Sequence, residues 1–212
     1  MSEDARSAAA APAGWTWAGS LAALAVALLA ALVVLSTMGP IRDGDIGWHL
    51  ALGRSIEHSG EIPHQEPYAW TAAGAPMVAH EWLSQRLYWE ITKRSGLRGL
   101  RWANALLAAV LVPLLYVGFV RYGRSRALAL LGCLLFVLIA RGRFQIRPHM
   151  LNLLLCTVLY VALFLRGRTL GRTAKGFVVA TVAVWANLHS GAVIFPVLLG
   201  IHAAVRWIEE RQ

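Results

Sequence analysis

Residues Ala18 to Met38 read AGSLAALAVALLAALVVLSTM and contain no charged side chain. A helix needs about 20 apolar residues to cross a hydrocarbon core of roughly 30 Å, and this stretch supplies them. A cleavable signal would have a shorter apolar core with a basic residue directly before it. Here the nearest upstream cation is Arg6, so the stretch is read as an uncleaved first membrane helix. Residues 1–17, rich in Ser, Ala and Pro at their start, are expected to be a disordered tail.

Composition extends that reading to the whole chain. Of 212 residues, 58% are hydrophobic and only 15% charged, against about a quarter charged in soluble domains. An ordinary soluble enzyme is thereby excluded. So is a disulfide-stapled secreted domain, because there are only two cysteines, each inside an apolar run. The net charge of +9, from 20 Lys+Arg against 11 Asp+Glu, points to anionic headgroups or a phosphate ligand and not to nucleic acid.

After Met38 the composition changes abruptly. Residues 39–101 hold seven of the eleven acidic residues and four of the seven histidines. Apolar runs then return at Trp102–Val120, Ala127–Ala140, His149–Leu165 and Phe177–Val205, the last interrupted by Asn187-Leu188-His189-Ser190-Gly191. The expectation is an all-α, polytopic membrane protein. Residues 18–38 form its first span, 39–101 a loop with amphipathic helices, and 102–212 a bundle. That makes five membrane helices, or six if the last run breaks. The connections Arg121–Arg126 and Arg166–Lys175 carry seven basic residues and no acid, which places them in the cytoplasm and the N-terminus with them. Alternation then gathers the long loop, the Arg141–Arg147 connection and Asn187–Gly191 on the outer face.

Several residues on that face carry chemistry. In Arg42-Asp43-Gly44-Asp45-Ile46-Gly47-Trp48-His49, a helix starting near Asp45 puts Asp45 and His49 on one face and Asp43 at the N-cap. Alternatively, Asp43 and Asp45 act as a general base or as ligands of a divalent cation. Pro63-His64-Gln65-Glu66-Pro67-Tyr68-Ala69-Trp70-Thr71 reads as an extended aromatic belt. Val78 to Ser95 reads as a helix stopped by Gly96, with Leu83, Leu87 and Ile91 spaced by four. Glu81 at its start is either a dipole partner or a group that activates a hydroxyl. Arg143 and Arg147 either snorkel or present guanidinium forks to phosphate. Asn187 and His189, inside an apolar stretch, must pair or line a wet cavity.

Taken together, Asp43 to Arg54 (Asp-x-Asp-x-x-Trp-His-Leu-x-x-Gly-Arg), Ile62 to Tyr68, His80 to Leu83 (His-Glu-Trp-Leu), Gly96 to Leu100, Arg147-Pro148 and Trp185-Ala-Asn-Leu-His189 resemble a family of bacterial polytopic membrane proteins. That family is related to the dolichyl-phosphate-mannose-protein mannosyltransferases of the C-type glycosyltransferase fold. The resemblance covers nearly everything from Asp43 onward. It implies transfer of a sugar from a polyprenyl-phosphate donor, on the outer face of the bacterial cytoplasmic membrane. It implies Asp43, Asp45 or Glu81 as the acidic catalytic group, with a Mg or Mn ion on Asp43 and Asp45 as the accompanying expectation. Arg147 and Arg143 would hold phosphate, and His49, His149, Asn187 and His189 would line the substrate pocket. Enzymes of that fold are longer and carry more membrane helices. The expectation is therefore a truncated relative or one subunit of a split enzyme completed by a second membrane subunit. The alternative is a non-catalytic copy that binds lipid phosphate or a partner protein within an assembly.

Overall fold

The structure is a computed structural model that describes residues 17–41, 43–123, 125–163 and 171–211. The expected tail, apart from Trp17, lies outside the described residues, as do Arg42, Arg124 and residues 166–170 of the second basic connection. Every regular element among the described residues is helical: α1 (Trp17–Thr37), α2 (Ile46–Ser59), α3 (Trp82–Gly123), α4 (Arg126–Ala140), α5 (His149–Leu163), α6 (Arg172–Leu188) and α7 (Ile194–Glu209). Three segments, Gly19–Thr37, Trp82–Gly123 and Ser190–Glu209, are long and apolar enough to cross a membrane, and His149–Leu163 is a shorter apolar helix. Leucines along the outside of the bundle, such as Leu21, Leu28, Leu106 and Leu138, are exposed. So much apolar surface is foreign to a soluble monomer and compatible with a membrane protein.

The helix ends explain where the polar residues come to lie. Ser36 and Thr37 fold their hydroxyls back onto the carbonyls of Val33 and Val34, each at 2.7 Å, which closes the end of α1 without a following turn of helix. Asp45, not Asp43, occupies the N-cap position of α2. Asp43 instead accepts the Asp45 N–H at 3.0 Å, a short-range turn that suits an aspartate just outside a helix. Gly60, at φ 72°, ends α2.

The helix expected over Val78–Ser95 begins later, at Trp82, with the Gln85 N–H donating to the Glu81 carbonyl at 3.0 Å. Gly96 does end that first arm. Its φ of 65° and ψ of −173° belong to a region that essentially only glycine enters. A second arm, residues 97–123, continues from the kink, so no loop separates the polar segment from the bundle. The last apolar run breaks where expected. His189 is extended (φ −164°, ψ 139°) between α6 and a single 3-10 turn, Ser190–Val193, that leads into α7.

Two apolar clusters hold the bundle. Val33, Leu111, Val112, Cys133, Phe144 and Met150 join α1, α3, α4 and α5. Leu159, Trp185, Ala192 and Phe195 join α5, α6 and α7. A third cluster, Tyr88, Leu100 and Ile146, joins the polar segment to the bundle, and within that segment Glu57 of α2 takes hydrogen bonds from Trp89 Nε1 and, at 2.6 Å, from Lys93 Nζ on the first arm of α3. Residues 61–77 form a short excursion with one isolated bridge, Gln65 to Pro76, tied to α2 by the Tyr68 hydroxyl on the Ala51 carbonyl at 3.0 Å.

Candidate functional site

The consequence of this topology is that α1, α4 and α6 end, and α2, α3, α5 and α7 begin, at one end of the bundle. Contacts across more than a hundred residues hold that end together. Arg147, in the turn between α4 and α5, lays its fork on Asp43: Nε donates to Oδ2 at 2.5 Å and Nη2 to Oδ1 at 2.7 Å. The same Nη2 lies 2.8 Å from Asp45 Oδ2. Asp43 is 2% exposed at its side chain, Arg147 39% and Asp45 58%, so the clamp is buried on one side and open on the other.

Beside it lies a second set. His189 Nε2 is 3.4 Å from Glu81 Oε1. The Trp82 indole N–H donates to Asn187 Oδ1 at 2.8 Å, and the Ser84 hydroxyl to the Leu188 carbonyl at 2.6 Å. The start of α3 is thereby latched to the end of α6. Trp185 Nε1 donates to Asn152 Oδ1 at 3.0 Å, tying α6 to α5. His189 Nδ1 accepts the Gly191 N–H at 2.8 Å. In the neutral ring the proton therefore sits on Nε2, the nitrogen that faces Glu81.

The environments push the two carboxylates in opposite directions. The hydrogen bonds from Arg147 hold the Asp43 carboxyl below its ordinary value, against the opposing effect of burial. Burial raises Glu81, and this outweighs the nearby positive charge of Arg147 and His80. Burial, together with His149 and His80, lowers His189, which keeps it neutral at neutral pH. Arg147 and Asp45 both act on Glu81, so the two sets share one field. Such divergence is how a single site separates a permanently ionised group from one able to exchange a proton.

The other expected residues fall as follows. His49 is buried, with its ring edge-on to Trp48 and Tyr88, and its Nδ1 has no hydrogen-bond partner. His149 Nε2 donates to the Arg143 carbonyl at 2.6 Å, so His149 and Arg143 brace the turn together while the Arg143 side chain is exposed. Asn187, expected to line a pocket, uses Oδ1 on Trp82 and Nδ2 on the Ala183 carbonyl at 2.9 Å. It is a fastener. Of the remaining histidines on this face, His80 lies 3.9 Å from Glu81, whereas His58 and His64 border other surfaces.

The two carboxylates expected to hold a divalent cation are engaged with an arginine. Both Asp43 oxygens and one Asp45 oxygen are already turned to Arg147, and among the described residues no group of three His, Cys, Asp or Glu is disposed as a metal cluster. Sequence reasoning overlooked Asn104 and Asn152. Each is a lone amide inside an apolar run, the same signal that drew attention to Asn187. Comparison with protein-family models, curated proteins and solved structures found no match to this chain.

Proposed function

We propose that the chain is a membrane-embedded glycosyltransferase that moves a sugar from a polyprenyl-phosphate donor to a hydroxyl acceptor at the outer face of the bacterial cytoplasmic membrane, with its N-terminus inside. The resemblance in sequence suggests the donor. The observation that carries the reading is the pairing of a raised, half-buried Glu81 with a neutral His189, beside an ionised Asp43 held by Arg147. The acceptor oxygen attacks the anomeric carbon, the carbon–oxygen bond to phosphate breaks, and polyprenyl phosphate leaves with the bonding pair. The acceptor proton passes to Glu81, which burial raises from its ordinary value and so makes a better base. Arg147, already shared by two carboxylates, orders the site and is not the main phosphate ligand. The exposed Arg143 supplies charge that the leaving phosphate requires.

The same filled fork favours a second reading, in which the clamp is purely architectural and the chain is a non-catalytic subunit that completes, or is completed by, a second membrane protein. Glu81→Gln separates the two. In proteoliposomes with a labelled polyprenyl-phosphate sugar, the enzyme reading requires transfer by the wild type and loss of about 10²–10⁴-fold in the variant, with helicity and assembly intact. Equal transfer by both proteins removes the catalytic role of Glu81.

A further inference from the structure

A polar cavity of about 320 Å³ lies where α1 ends and the turn after α4 begins, bordered by Thr37, Ile41, Asp43, Asn104, Arg141 and Gln145. Its volume is at the small end of the roughly 300–1,000 Å³ range of ligand sites. Asn104 is 4% exposed. Its Nδ2 donates to the Phe144 carbonyl at 3.3 Å, but its Oδ1 is buried without a hydrogen-bond partner. Leaving such an acceptor unmatched is unfavourable, so the cavity asks for a donor. The hydroxyls at the cavity edge do not provide it, since Ser36 and Thr37 spend theirs on their own helix. Asp43 has both oxygens committed. Arg141, at the rim, is exposed and cationic.

Below the cavity, between the same two helices, runs an apolar groove walled by Leu28, Leu32, Leu131 and Leu134, among others. Helices rise about 1.5 Å per residue. Leu32 is therefore about 6 Å below Ser36, and Leu134 about 10 Å below Arg141. A buried acceptor on α3 and an exposed cation thus border one cavity, and a shallow apolar groove between α1 and α4 lies below it. These three features match the three parts of an anionic amphiphile: a hydroxyl, a phosphate and hydrocarbon.

We propose that the α1–α4 seam is a binding site for an anionic glycerolipid with a hydroxyl-bearing headgroup. The headgroup hydroxyl donates to Asn104 Oδ1, the phosphate faces Arg141, and an acyl chain lies along the leucine groove. The site is separate from the acid–base pair of Glu81 and His189, so it stands or falls independently of the transfer reaction.

The test is native mass spectrometry of the full chain released from nanodiscs containing equal parts phosphatidylglycerol, phosphatidic acid and phosphatidylethanolamine. Phosphatidic acid keeps the phosphate without the hydroxyl headgroup. Phosphatidylethanolamine offers a donor without net negative charge. The wild type is expected to retain phosphatidylglycerol over both. Asn104→Leu should lose about three- to tenfold of its preference over phosphatidic acid, as one neutral hydrogen bond warrants, and retain acidic lipid generally. Arg141→Gln, an exposed change that leaves the fold alone, should weaken both acidic lipids alike. Equal retention of all three lipids by the wild type overturns the proposal. Unchanged selectivity in both variants, with bound lipid still present, overturns it as well.

Discussion

Removing the guanidinium from the clamp gives the sharpest physical test of the site's construction. Arg147→Gln leaves Asp43, 2% exposed at its side chain, with the Asp45 N–H as its remaining partner. Breaking a buried ion pair from one side costs about 3–5 kcal/mol. Arg147 is itself 39% exposed, so solvent already screens part of the interaction, and about 2–3 kcal/mol is the expected loss. The pH dependence gives a second signature. In the wild type the Asp43 carboxyl is lowered by Arg147. Its stabilisation is therefore complete above the ordinary carboxylate value and is lost as pH falls through the lowered one. In the variant burial opposes only the Asp45 N–H and the weaker influence of His49, so the carboxyl rises relative to the wild type and acid relieves the penalty by protonating it. Unfolding of the detergent-solubilised protein, followed by loss of helicity against denaturing detergent between about pH 2 and pH 8, reads both effects. The variant should be least stable at the alkaline end and approach the wild type at the acid end. Asp43→Asn combined with Arg147→Gln should recover much of the loss, because no charge is then left stranded. A variant as stable as the wild type at every pH would refute the buried clamp.

Other outcomes follow from the same geometry. Because burial raises Glu81, transfer should grow as pH rises through a midpoint above the ordinary value of 4.5, measured as a pH–rate profile in proteoliposomes. A profile already flat from about pH 4 upward would remove Glu81 as the base. Gly191→Ala should disturb His189, since a Cβ there would meet Asn152 Cγ at 2.7 Å and His189 Nδ1 at 2.8 Å. The expected result is a displaced pH–rate midpoint with a stability loss of about 1–3 kcal/mol; an unaltered profile would free His189 from that role. Added Mg or Mn should not stimulate transfer while Arg147 is present, and metal-dependent rate or binding would contradict the filled fork. Single cysteines at Ser59 and Ser190, in a background lacking Cys133 and Cys156, should react with an impermeant thiol reagent from the same side of the membrane. Labelling of the two from opposite sides would contradict the shared end of the bundle.

What could be read in the sequence was what is local. Charge-free or nearly charge-free runs marked α1, α4, α5 and the second arm of α3, and the interruption at Asn187–Gly191 marked the break before α7. Strict alternation of helices was enough to bring Asp43, Glu81, Arg147 and His189 to one end. Local pattern did less well at boundaries. The stretch before Trp82 has helical spacing yet forms tight turns, with the His80 N–H on the Val78 carbonyl at 2.9 Å and the Trp82 N–H on the Ala79 carbonyl at 3.2 Å. Asp43 resembles an N-cap by position, but its carboxylate is drawn to Arg147 and to a turn with Asp45. No periodicity announces a partner 104 residues away. The arginines could be recognised as phosphate-matching groups, but which of them is already satisfied by carboxylates depends on tertiary contacts alone. Asn104 and Asn152 carry the same signal as Asn187, a lone amide inside an apolar run.

The account rests on two distant stretches of chain meeting at one point: the entry to α3 and the break between α6 and α7. Cysteines placed at Glu81 and His189, in the background without Cys133 and Cys156, test this directly with a bifunctional thiosulfonate reagent only a few ångströms long. The expected product is an intramolecular cross-link formed at low reagent, detectable as a peptide pair after proteolysis. If each cysteine instead reacts singly and no joined peptide forms, Glu81 and His189 do not share a site, and the acid–base reading fails with them.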